Sequence, residues 1–172
     1  MVSEVKCQQK MLLTALNKKQ IVGGIFCDLH KAFDSINHAI LLEKMKFYGE
    51  SGKFYNLLKS YLDGRYQKVV LNHNKGIEST WEKIRQGVHQ GSILGPILFL
   101  IYINDLPNLT STGTKILLYA DDTSIIVTSP NLENFETKIY NIFGDINNWF
   151  KASQLTLNYN KTNYLQYNRK NR

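Results

Sequence analysis

Three stretches carry residue types that could do chemistry. The first, Phe26-Cys27-Asp28-Leu29-His30-Lys31-Ala32-Phe33-Asp34, sets an aspartate at the end of an apolar, β-rich run. A carboxylate losing solvent there is costly unless it is paired or binds a metal ion. The bland alternative is a cap on the following helix, a role that suits Asp34 better. The second, Leu117 to Val127, places Asp121 and Asp122 side by side between two β-rich runs. Aspartates are ordinary in hairpin turns, but such turns prefer a Gly or Asn partner, which is absent here. No basic residue lies between Ile116 and Ser129. Like charges this close repel unless a cation sits between them. Carboxylate oxygens suit Mg²⁺, which keeps several waters and leans on substrate phosphates. The third, Gln86-Gly87-Val88-His89-Gln90-Gly91-Ser92-Ile93-Leu94-Gly95-Pro96, spaces three glycines just before a helix start. Glycine permits close backbone approach, and a helix N-terminus favours negative charge. The stretch lacks the Lys-Ser/Thr ending of a P-loop, so a simple Gly-rich turn stays open.

The elements that must position these residues follow from periodicity and punctuation. Val5, Leu12, Ala15 and Leu16 predict a helix over 4–18, and IVGGIFCDL predicts a strand over 21–29. A second helix is expected over 34–47, with Ile36, Ile40, Leu41 and Phe47 on one face and Gly49 as its stop. A third covers 53–62 and ends at Gly64. Residues 65–71 and 77–84 predict a hairpin around Asn72 to Gly76. A helix starts near Ser92, with Pro96 in its first turn. Short strands follow over 115–119 and 123–128. Ser129 as N-cap and Pro130 at the first position then predict a long helix. Its stripe of Leu132, Phe135, Ile139, Ile142, Phe143, Ile146, Trp149 and Phe150 is core packing. Final strands are expected over 155–159 and 163–167. From residue 21 the order reduces to strand, helix, strand, strand, helix, strand. That is an α+β, split βαβ pattern: an antiparallel sheet with helices on one face and the other open to a partner.

Composition narrows the class. The chain has 172 residues, 43% hydrophobic and 12% aromatic, which excludes a disordered or low-complexity chain. Cys7 and Cys27 cannot build a disulfide framework or a zinc site from spacing, and read as buried thiols in a reducing compartment. No secretory signal opens the chain, and the apolar run Ile93 to Ile103 is far short of the about 20 residues a membrane span needs. The net charge of +7 is concentrated at the end. Lys151, Lys161, Arg169, Lys170 and Arg172 face no acid, whereas residues 1–150 are nearly balanced. Such an excess either favours a polyanionic partner or marks a solvated end.

Taken together, the three stretches resemble the reverse transcriptases of LINE-type non-LTR retrotransposons, including the jockey-like elements. The first catalytic motif of that family is similar to Phe26 to Asp34, the second to Gly87 to Pro96, and the third to Tyr119-Ala120-Asp121-Asp122. Tyr61-Leu62-x-x-Arg65-x-Gln67-x-Val69, Phe99 to Pro107 and Leu157-Asn158-x-x-Lys161-Thr162 also resemble it, so the likeness runs from about residue 21 to 167. The resemblance implies a right-hand polymerase palm with part of the fingers. It implies an RNA-directed DNA polymerase that joins a dNTP to a DNA primer on an RNA template, with no membrane partner. Asp28, Asp121 and Asp122 would hold two Mg²⁺ ions, Mn²⁺ being an alternative. Phe33 would reject a ribose 2′-hydroxyl, although without the resemblance ordinary helix-start core packing is the preferred reading. Gln90 and Gly91 would contact the incoming nucleotide and template. Lys161 would protonate pyrophosphate, where the plain alternative is a solvated lysine.

The chain departs from the family pattern at His89, usually Pro, whose loss loosens the loop before Gln90, and at His30, commonly Ser. The expectation is one partial fingers and palm domain over 1–172, without thumb or endonuclease, acting inside the cell in the nucleus. A truncated, inactive nucleic-acid-binding remnant is the alternative.

Overall fold

In the computed structural model the described residues are 2–71, 76–89 and 91–167, with side chains of the first helix described from Gln9 onward. The elements run α1 (Val2–Asn17), β1 (Ile21–Cys27), α2 (His38–Phe47), α3 (Gly52–Leu62), β2 (Tyr66–Gln67), β3 (Val70–Leu71), β4 (Ile77–Glu78), β5 (Glu82–Lys83), α4 (Leu94–Ile103), β6 (Thr114–Tyr119), β7 (Asp122–Ser129), α5 (Leu132–Ala152) and β8 (Asn163–Tyr167). They form two compact units, residues 1–32 with 103–172, and residues 33–102.

The first unit is built on a four-stranded antiparallel sheet of order β6-β7-β1-β8. This is the strand order that the split βαβ pattern demands, with β1 in the centre. Two glycines in a central strand would ordinarily weaken it. Here Gly23 is required: a Cβ would run into the end of the Phe135 ring and stand 2.9 Å from the Leu165 carbonyl oxygen. The glycine lets α5 lie directly on β1. Phe135, Ile142, Ile146 and Phe150 of α5 are buried. The opposite face carries α1 at its Val22 end, where Ala15, Val22 and Ile126 form a small core with Met11, Leu12 and Leu117. On that face Phe26, Tyr119, Leu165 and Tyr167 remain exposed.

The second unit holds α2, α3, α4 and two short ladders, β2 with β5 and β3 with β4. These ladders are the ends of the expected hairpin; its turn, residues 72–75, lies outside the described residues. Gly49 and Gly64 adopt φ of +89° and +69° after α2 and α3, the left-handed stop their helices need.

Several expectations are corrected. The second helix begins at His38, because the Asn37 side chain accepts hydrogen bonds from Ala39 N and Ile40 N; neither Asp28 nor Asp34 is its cap. Its buried residues are His38, Leu41 and Met45, while Phe47 is 85% exposed. Ser129 does not cap α5. It is drawn into β7 and buried with its hydroxyl unpartnered, and Asn131 caps instead by accepting from Asn134 N. Leu132 is exposed rather than part of the buried stripe. Residues 155–159 form no strand; only Leu157 bridges, to Leu29.

Two outcomes test this packing. Gly23→Ala overpacks the α5 contact and is expected to destabilise by about 1–3 kcal/mol. Gly144→Ala, in mid-helix with open space around it, is expected to stabilise by about 0.5–1 kcal/mol. Urea unfolding of both variants measures this, and equal effects would refute the close-approach account. Cys27 supplies a second check. Burial pushes its thiol up to about 12, so the native chain is expected to resist alkylation of Cys27 at pH 8.5 and to react once unfolded. Because the folded pKa is the raised one, this group's stabilising contribution is complete below about pH 9 and is lost as pH rises toward 12. Peptide mass mapping and alkaline unfolding curves read the two effects.

Candidate active site

In the first unit the β1–β7 register ends with Cys27 opposite Thr123. Asp28 follows the last paired residue of β1 and Asp122 opens β7, so the two lie at the same end of the sheet. The β6–β7 hairpin closes with Tyr119 opposite Asp122, so Ala120 and Asp121 are its two-residue turn. Ala120 takes φ +50°, a left-handed conformation that turn chemistry normally gives to Gly or Asn. Lys31, three residues after Asp28, sits at φ +45°. Non-glycine residues held this way carry strain of order 1–3 kcal/mol and cluster at functional sites.

Asp28 is partly buried, its side chain 28% exposed. Its Oδ2 accepts a hydrogen bond of 3.0 Å from Nδ2 of Asn158, and the Lys161 ammonium stands 3.8 Å from the same oxygen. Around it the segments are zipped together: His30 N donates to Thr156 O at 2.8 Å, Asn158 N to Asp28 O at 2.8 Å, and Leu29 bridges Leu157. Asp121 is half-buried and Asp122 exposed. The structure thus brings Asp28, Asp121, Asp122 and Lys161 to one end of one sheet.

The donor set is all hard oxygen, which suits a magnesium-type cation. Among the described residues no three His, Cys, Asp or Glu side chains are gathered closely enough to hold a metal ion alone. Mg²⁺ does not ask for such a cage; it is held by one or two carboxylates, waters and substrate phosphates. The aspartates fit a cation shared with a substrate.

Phe33 and Gly91 belong to the second unit. There the chain after the first motif is tied to the glycine loop. Val88 N donates to Phe33 O at 2.9 Å and Gly87 N to Ile36 O at 2.8 Å. His38 Nε2 lies 2.8 Å from Gly87 O. Gly87 takes φ +87°, and a Cβ there would stand only 3.1 Å from the Asp34 carbonyl oxygen. The Phe33 ring is half-buried and lies 5.1 Å from that of Phe99, so the core-packing role left open for it is present. Ser92 closes the loop by donating to His89 O and accepting from Gly95 N at the start of α4. Gly91 takes φ +81° with open space around it. Gln90 lies outside the described residues. A cavity of about 610 Å³ opens beside this loop, lined by Asp34, Arg65, Gln67, Gln86 and His89 among others.

Sequence reasoning did not assign Asn158 or His38. Asn158 was visible only as a letter in a motif, since its partner is 130 residues away. The buried His38 gave no signal beyond an apolar helix face.

Comparison with known proteins places this geometry. The family model described as reverse transcriptase (RNA-dependent DNA polymerase) matches residues 3–171. The RNA-directed DNA polymerase from mobile element jockey of Drosophila funebris is 37% identical over 123 residues, 68% of this chain and 13% of that protein. The probable RNA-directed DNA polymerase from transposon X-element of Drosophila melanogaster is 30% identical over 166 residues, 95% of this chain and 18% of that protein. The chain therefore spans less than a fifth of the length of these relatives. A Candida tropicalis telomerase solved in complex with a TWJ fragment of telomeric RNA superposes with a TM-score of 0.74 over 98% of this chain and 30% of its own, at 17% identity. The split βαβ sheet, the aspartates at its end and these matches agree: the chain belongs to the reverse transcriptase family, among its jockey-like, non-LTR retrotransposon members.

Proposed function

We propose that this chain supplies the nucleotidyl-transfer centre of an RNA-directed DNA polymerase, extending a DNA primer on an RNA template. The observation that carries this reading is the register that ends β1 at Cys27 opposite Thr123, so that Asp28, Asp122 and the Asp121 turn share one end of the sheet. Asp28, Asp121 and Asp122 would hold two Mg²⁺ ions (or Mn²⁺), which when bound lower the pKa of the primer hydroxyl and neutralise charge on the triphosphate.

The chain's own groups do the rest. The carboxylates concentrate negative charge at the sheet end, so a dNTP enters only with its counter-cations. Phosphoryl transfer depends mainly on positioning and electrostatics, and strands in fixed register are rigid supports for both. Lys161, its ammonium near Asp28, would give a proton to the leaving pyrophosphate. Phe33 would exclude a 2′-hydroxyl, with Phe99 behind its ring to hold it firm. Gln90 and Gly91 would meet the incoming nucleotide and the template.

Primer extension on an annealed RNA template with dNTPs and Mg²⁺ tests the reading. Wild type is expected to extend the primer and to stop on chelation by EDTA; Asp121→Asn is expected to abolish extension. Unchanged extension by Asp121→Asn would remove the metal role. A folded chain that binds the duplex without extending it would instead support the nucleic-acid-binding remnant. Lys161→Ala is expected to slow extension by about 10²-fold or more, the usual worth of a general acid. Phe33→Val is expected to raise ribonucleotide use relative to deoxynucleotide use; a competition assay reads the ratio, which a mere packing defect would leave alone.

A further inference from the structure

We propose that Asn158 is a positioning residue for Asp28, holding one carboxylate oxygen so that the other is left to a cation. The proposal rests on the metal reading above.

Asn158 is buried, at 8% exposure. It grips Asp28 at two points: its backbone N–H donates to the Asp28 carbonyl at 2.8 Å, and its Nδ2 donates to Oδ2 at 3.0 Å. The assignment of Nδ2 is forced, because an ionised carboxylate only accepts. Asn158 is itself fixed. Its carbonyl accepts from Lys161 N at 3.1 Å, Thr162 N at 2.9 Å and the Thr162 hydroxyl at 2.9 Å. The same turn carries the Lys161 ammonium to 3.8 Å from Oδ2. Both partners therefore fall on one oxygen, and among the described residues Oδ1 accepts nothing.

Asparagine in a polar turn usually bonds to its own neighbouring backbone. Here the amide is committed instead to a residue 130 positions away. The residue type matters. An amide donor orients a carboxylate without cancelling its charge, whereas Arg in this place would neutralise the group a divalent cation needs. Groups that orient a metal ligand in this way are typically worth 10–100-fold in metal affinity.

The test is Mn²⁺ binding by electron paramagnetic resonance on the purified full chain, with folding checked by circular dichroism. Asn158→Leu keeps the side chain's shape and removes its donor. It is expected to bind Mn²⁺ about 10–100-fold more weakly than wild type, and to have no further effect in an Asp28→Asn background. If Asp28→Asn weakens binding while Asn158→Leu binds as wild type does, the Asn158 proposal is overturned and the metal reading stands. If Asp28→Asn binds as wild type does, the metal reading falls and takes the proposal with it. Nuclear magnetic resonance of the unmutated chain gives an answer even if Asn158→Leu fails to fold. The Asn158 side-chain amide signal is expected to shift on Mg²⁺ addition together with the Asp28 backbone amide. A shift at Asp28 with none at Asn158 would overturn the proposal.

Discussion

The structure depends on the close approach of α5 to β1 at Gly23. A central strand with two adjacent glycines has little side-chain mass at its middle. The helix fills that space with Phe135, which is wholly buried. Packing of this density fixes the helix on the strand, because protein interiors yield little before contacts are lost. Once β1 is held in the centre of the sheet, β7 and β8 are registered against it from either side. The end of β1 then becomes a defined point, and Asp28 stands one residue beyond it.

At that point the problem is electrostatic. Asp28 is partly buried, and two further carboxylates belong to the neighbouring hairpin. An unanswered charge in such a place is costly. The amide of Asn158 and the ammonium of Lys161 answer it from one turn, the first by a hydrogen bond and the second by an ion pair at 3.8 Å, both to the same oxygen. The lysine is 70% exposed, so its contribution is screened and easily given up. A firm neutral contact combined with a loose charged one holds the carboxylate in place without fully cancelling its charge.

The sheet was legible in the sequence because its information is local. The run IVGGIFCDL reads as a buried strand, and two β-rich runs separated by very little read as a hairpin. The aspartates were legible because charge in an apolar context is conspicuous. Capping was less so. Ser129-Pro130 has the right composition for a helix start, but pairing of Ser129 with Ile21 extends β7 and moves the cap to Asn131. Residues 155–159 read as a strand, yet their pairing stops at one bridge, Leu157 to Leu29, flanked by the bonds from His30 N to Thr156 O and from Asn158 N to Asp28 O. The bonds from Val88 to Phe33 and from Asn158 to Asp28 were illegible for a common reason: each joins residues that no periodic pattern connects.

This division between local and distant information bears on how the fold persists. The likeness to telomerase holds over nearly the whole chain at 17% identity. Alternation, a small residue under a helix and a tight hairpin can each be met by many side chains, so a shared sheet needs few shared letters. The sheet end is different. A carboxylate must accept, its orienting partner must donate, and a two-residue turn must place its aspartate at one step of the register. These requirements tolerate few substitutions. The scaffold can therefore drift where packing alone is asked of it, while the pairing of Asn158 with Asp28 and the Ala120-Asp121 turn each depend on particular atoms.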